Sequence, residues 1–200
     1  MQALFFVFFT FFITFAAKKR VLTLYMYSAY LAPISCYSRW LRKCGTTDES
    51  PHPDYWQKQT LRNRCHIDSP SGALTLTIPV VHPQKGALTD EVLISEHGDW
   101  RHRHWNALCS SYRQTPFFDY YEEDFHPFYH EHRWEHLAEF NTDLQAVIVQ
   151  LLFPNGTYHL NAQPRTDEYH QMFAVRHGFL SDLSIVDLLF NMGPEAVFWL

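Results

Sequence analysis

Cysteine is sparse and irregularly placed. Cys36, Cys44, Cys65 and Cys109 show no C-x-x-C spacing, so neither a zinc framework nor a disulfide scaffold is supported, and free thiols in apolar context are expected. Glycine is scarce too, at seven residues. No G-x-G-x-x-G, Walker or G-x-S-x-G pattern occurs, and no catalytic Cys/His signature takes their place. Positive charge is in deficit, with 16 Lys and Arg against 21 Asp and Glu and a net charge of −5. That balance excludes nucleic acid held mainly by global electrostatics. What is abundant is aromatic: seventeen Phe, eleven Tyr and six Trp in 200 residues. A hydrophobic share of 46% beside 18% charged residues is the mixture of a folded globular chain, and this length buries roughly 70% of its unfolded surface in one domain.

The first 20 residues stand apart. Ala3–Ala17 is almost unbroken apolar sequence, followed at once by Lys18, Lys19 and Arg20. A spanning helix wants about 20 apolar residues, and a secretory signal carries its charge in front of the apolar part. Three readings stand: an extension outside the fold with translation starting near Met26, a tether holding the body on the cytoplasmic side, or a signal peptide. Residues 1–20 are therefore set aside as a leader, extension or anchor, and residues 21–200 as the domain.

Within the body, Val21–Tyr27 is rich in β-formers, and Ser35 is placed to cap a helix carrying Tyr37, Trp40 and Leu41 on one face. Gly45–Pro53 is a loop. Arg62–Ile67 and Ala73–Val80 flank Asp68–Gly72 as a β-hairpin with one buried face, and Val92–Ile94 adds a short strand. A helix follows Asp99 with Trp105, Leu108, Cys109 and Tyr112 inward, and another stretch runs from Pro116 toward Leu152 with a break at Pro127. A short helix is expected from Asp167 to Gly178, and a buried one over Ser184–Asn191.

Four constellations carry candidate chemistry. Tyr55–Arg64 contains Lys58, Gln59, Thr60, Arg62, Asn63 and Arg64; if extended, it sets three cations on one face, suited to a phosphate or carboxylate. The plain alternative is a solvated strand face. Glu96–Trp105 places His97 before a helix start and His104 within it, as proton donors or acceptors near neutral pH or as packing residues. His126, His130, His132 and His136 have helical i, i+4 spacing, yet lie in a mixed-charge face, and no metal is assigned to them. Asp187 and Asn191 interrupt an apolar helix and must meet partners or a ligand, with Lys58, Arg62 or Arg64 as the available cations.

Four blocks in order, Ser28–Ser35 (SAYLAPIS), Lys58–Cys65 (KQTLRNRC), the run from His97 through Trp105 to Pro116-Phe117-Phe118, and Leu183–Pro194 (LSIVDLLFNMGP), resemble the WbqC-like family. Members are bacterial, some belong to O-antigen or other surface-polysaccharide clusters, and glycine transfer to a sugar has been suggested for one branch. This sequence departs from the family pattern at Gly45–Pro53 and in a shortened segment between Phe153 and Glu168. The resemblance implies a cytoplasmic transferase of cell-surface polysaccharide biosynthesis acting on an activated sugar or another anionic small molecule. Lys58, Arg62 and Arg64 would hold the anion, with Gln59, Thr60 and Asn63 also binding the substrate, Tyr30 and Trp105 wall the site, His97 or His104 move the proton, and Asp187 with Asn191 orient a cation or the acceptor amine. The rival is a non-catalytic scaffold using an aromatic surface around Trp100, Trp105, Phe117, Phe118, Tyr120 and Tyr121. No cofactor is expected, nucleic acid is excluded as partner, and membrane contact is expected only through residues 3–17. The fold expected is α/β in one domain: an open mixed sheet, Rossmann-like at its N-terminal part and including the hairpin, packed by helices, with a helical C-terminal half.

Overall fold

The β-formers on either side of Asp68–Gly72 close an antiparallel hairpin, β1 (Arg64–Ile67) against β2 (Leu74–Thr77), with Cys65 opposite Leu76. Cys65, Ile67 and Leu76 face the core, while His66 and Thr75 meet outside through a 3.0 Å hydrogen bond. Period-two alternation has this effect on a half-buried sheet. Gly72, at φ 102°, turns the chain where an L side chain would be strained. These features come from a computed structural model, which describes residues 28–43, 55–155 and 167–200. The leader, the expected strand Val21–Tyr27 and the loop Gly45–Pro53 lie outside the described residues.

Among the described residues six α-helices follow one another: α1 (Ile34–Lys43), α2 (Trp100–Tyr112), α3 (Phe118–His130), α4 (Leu137–Leu152), α5 (Ala174–His177) and α6 (Ile185–Met192). In α1 the residues Tyr37, Trp40 and Leu41 are buried, as their spacing requires. Its N-terminus is held by Asp182, which accepts from the Ser35 amide and hydroxyl, both at 2.9 Å. A carboxylate there meets unpaired amides and the positive end of the helix dipole. Residue Ser35, expected as the cap, is thus a donor instead.

Pro127 does not break its helix. α3 runs through it to His130, and the interruption falls at residues 131–136. Phe125, Phe128 and Tyr129 are buried on both sides of the proline, and their packing outweighs the roughly 3 kcal/mol that an internal proline costs. In the expected strand Val92–Ile94 only isolated bridges form, Ile94 to Val80 and Leu93 to His136. The short late helix covers only Ala174–His177 and does not begin at Asp167.

The centre of the molecule is α6. Ser184 caps it, its hydroxyl accepting from the Val186 amide, and its own amide donates to the His66 carbonyl at 2.8 Å. The Ile185 amide reaches the Ala32 carbonyl at 2.9 Å, wedging α6 between the hairpin and the entry to α1. Phe190 collects Tyr112, Phe118 and Phe125 around it, with ring centroids 5.1–5.2 Å apart. Gly193 ends the helix against the Phe117 ring, which a Cβ would strike. The fold is α/β, with the hairpin in the first half and helices dominating the second. No helix among the described residues is long and apolar enough to cross a membrane.

Candidate functional site

Tyr30 and His104, far apart in the chain, do meet. The Tyr30 hydroxyl is 2.9 Å from His104 Nδ1 and 3.0 Å from the Tyr129 hydroxyl. All three are buried. Burial, with Arg103 adding to it, pushes His104 down to about 4, and the ring also bonds the Thr77 backbone. A neutral imidazole donating to a carbonyl on one side and accepting from Tyr30 on the other has no nitrogen left for a substrate. Trp105 packs on Tyr129 and Phe118 beside this chain, and His97 lies exposed on the surface. Under the edge of Trp105 the His126 and His130 rings stack in parallel at 3.6 Å, facing each other instead of a shared point.

Asp187 belongs to a second enclosed cluster. Its Oδ1 accepts from Tyr112 at 2.9 Å, and its Oδ2 accepts from Tyr169 at 2.6 Å and Gln171 at 3.2 Å. None of Lys58, Arg62 or Arg64 is among these partners. Neutral donors satisfy the carboxylate without cancelling its charge. Burial therefore prevails and raises Asp187 to about 6, against the lowering by Tyr169 and Tyr112. Tyr112 also accepts from the Asp68 amide at 3.0 Å. Asp68 faces His177 Nε2 at 3.1 Å, and burial raises its carboxyl against the pull of His177. Asn191 turns its amide back onto the Asp187 carbonyl at 2.8 Å.

The cationic block is not extended. Residues 58–63 form successive turns, with Gln59 at φ 58°, so Lys58, Thr60 and Arg62 do not share a strand face. Lys58 and Gln59 are exposed. Arg62 Nε donates to Thr89 at 3.1 Å, Arg64 Nε to Thr77 at 3.2 Å, and buried Asn63 to the Ile78 carbonyl at 2.8 Å. This block adjoins Tyr30, whose amide donates to the Leu61 carbonyl at 2.9 Å. Tyr30, His104 and Arg62 are thus neighbours, while Asp187 and Asn191 sit in a different cluster.

An open concavity lies elsewhere. A groove of about 1060 Å³ runs between α3, α4 and the turn Thr89–Glu91, with carboxylates of Asp90, Glu123, Asp124, Glu139 and Asp143 along its walls. At its floor Phe128 and Trp134 stack at 4.7 Å, and Trp134 Nε1 donates to Asp143 at 3.0 Å. The Arg133 guanidinium lies 4.1 Å over the Trp134 ring. Burial, and secondarily Glu123, raise the Asp124 carboxyl. Of the four constellations singled out from the sequence, His136 alone lines this groove, and Arg62 grips Thr89, next to groove-lining Asp90. Sequence reasoning passed over Glu123 and Asp124 as a solvated face; that the face is concave depends on how α3 and α4 are set after residue 130, which periodicity does not carry.

The family model of the WbqC-like protein family matches residues 50–163, more than half of the 200-residue chain. The chain belongs to the WbqC-like family. Neither the comparison with curated proteins nor that with solved structures gives a match. The WbqC-like region takes in the hairpin, the Lys58–Arg64 turns, His97, His104, Trp105 and the whole groove lining, whereas Tyr30, Asp187 and Asn191 fall outside it.

Proposed function

We propose that this WbqC-like protein is a transferase of cell-surface polysaccharide biosynthesis that passes an acyl group, glycyl in the simplest case, to an amine or hydroxyl of a sugar held in the α3–α4 groove. The observation that carries the reading is the groove itself: a concavity of about 1060 Å³ combining aromatic floor residues with five carboxylates. A sugar offers hydroxyls to carboxylates and an apolar face to aromatic edges, and ligand sites have this size and mixture. Carboxylates also favour an amine-bearing sugar, through charge-assisted hydrogen bonds. In acyl transfer the attacking amine or hydroxyl forms a bond to the activated carbonyl, loses its proton to a base, and the carrier departs. Asp124, whose carboxyl is raised from its ordinary value by burial, would accept that proton. The scaffold reading asks for an aromatic face in solvent. Trp100, Trp105 and Phe118 are buried, and of the named set only Tyr120 is strongly exposed.

The test is incubation of the full chain with a nucleotide-linked amino sugar and a thioester of glycine, with the sugar product weighed by mass spectrometry. A glycyl adduct that disappears in Asp124→Asn supports the proposal. No adduct, together with no saturable binding of the amino sugar, overturns it.

A further inference from the structure

The start of α2 concentrates hydrogen-bond donors that nothing in the described protein accepts. Arg101 is 3% exposed, and its Nη1 is engaged by the Glu96 carboxylate. Its Nε and Nη2, both buried, have no partner among the described residues. Those two nitrogens form one edge of the guanidinium, the fork that takes two oxygens of a single anion. Trp100 Nε1, in the preceding residue, is likewise buried and unpartnered, and the Arg101 guanidinium lies 4.5 Å from the Trp100 ring centre. Leaving such donors without acceptors carries their full desolvation penalty, so three in adjacent residues call for an acceptor of their own.

Their placement is at a helix N-terminus. Side chains tilt toward the start of their helix, and Arg101 reaches Glu96, which precedes α2. Asp99, the N-cap, provides no side-chain hydrogen bond to the first-turn amides, so these also face an anion favourably. Arg103 folds back over the same loop: its Nη2 lies 3.0 Å from where a Gly98 Cβ would stand. Glu96 itself is 56% exposed and shared with His132 at 3.3 Å, so the counter-ion to the buried arginine is a surface side chain able to swing away.

We propose that the N-terminus of α2 is an oxyanion site, in which the Nε/Nη2 edge of Arg101, the Trp100 indole and the first-turn amides receive a phosphate or carboxylate group, with Glu96 as the displaceable internal counter-ion. The site stands on its own observations and does not depend on the groove's acting on a sugar. His132, which holds Glu96, adjoins groove-lining Arg133.

The test follows the Trp100 indole and Arg101 Nε–H signals of the isotope-labelled full chain by NMR during titration with inorganic phosphate and, separately, with acetate. Saturable shifts of both signals are expected, and the stronger of the two ions identifies the oxyanion. Glu96→Gln removes the internal competitor and tightens binding roughly tenfold, about the worth of one charge-assisted hydrogen bond. Arg101→Lys keeps the charge, loses the fork and weakens binding by at least as much; should that variant fail to fold, Arg103→Gln is expected to weaken binding a few-fold. Absence of saturable shifts with either ion, or equal binding by wild type and Glu96→Gln, overturns the proposal.

Discussion

The enclosed clusters around Tyr30 and Asp187, and the open α3–α4 groove with the buried donors at the start of α2, use the same kinds of residue in opposite ways. Inside, tyrosine, histidine and aspartate find one another: Tyr30 has His104 and Tyr129, and Asp187 has Tyr112, Tyr169 and Gln171. In the open groove, carboxylates line the walls without converging on one partner, and at the start of α2 the buried Arg101 fork has none among the described residues. A polar residue in an apolar stretch of sequence therefore marks a need for satisfaction, which a protein can meet internally. Asp68 Oδ2 and Asn191 Oδ1 in the Asp187 cluster also lack partners among the described residues, so unmet need points to a ligand where several donors gather in adjacent residues, as at Trp100 and Arg101.

The largest expected effect that can break this contrast is on stability. Asp187→Ala strands two buried tyrosine hydroxyls and is expected to cost about 3 kcal/mol in urea unfolding; a loss under about 1 kcal/mol would mean the cluster is not structural. Next comes pH. Asp187 is raised from 3.8 to about 6 in the folded protein, so the native state binds the proton more tightly than the unfolded one. Its contribution to stability falls as pH rises through that window, and the cost is fully present above it. Asp187→Asn should flatten the dependence of the urea midpoint on pH over the same window, and an unchanged slope would contradict the assignment. Tyr30→Phe removes one link of the buried chain and is expected to cost about 1–1.5 kcal/mol, with ligand binding unaltered in calorimetry. Smallest is Lys58→Ala, at an exposed turn, expected to shift stability by no more than about 0.5 kcal/mol.

Local pattern made the hairpin legible, because Leu74, Leu76 and Ile78 alternate with threonines and Gly72 permits the turn. It also gave the inward faces of α1 and α2. The Pro127 break failed because buried Phe125, Phe128 and Tyr129 impose helix from both sides, a tertiary override of a local preference. At the site, Tyr30, the Lys58–Arg64 block, His104 and Asp187 were expected around one hollow; Tyr30 and His104 do meet, in the packing role that the sequence left open for His104, while Asp187 lies in a separate cluster, since burial of a histidine depends on what closes over it. The partners of Asp187 were sought among cations. They are tyrosines and a glutamine, read from sequence as an inward helix position (Tyr112) and as parts of the helix expected over Asp167–Gly178 (Tyr169 and Gln171), and a pairing 75 residues away, as with Tyr112, leaves no periodic trace. Arg101 stood inside a block singled out for its histidines, and nothing in its neighbours marks it as the buried one of Arg101 and Arg103.

The account rests on recognition at the groove and the α2 start, with structural roles for the enclosed clusters. Its most direct test is amide NMR of the full chain titrated with glucosamine 1-phosphate, which joins an amine, hydroxyls and an oxyanion in one molecule. The expected result is saturable perturbation at Asp90, Asp124 and Arg133 together with Trp100 and Arg101, and none at Tyr112, Tyr169 and Asp187. Perturbation centred on Asp187 and its tyrosines, with the groove and the α2 start silent, would contradict it.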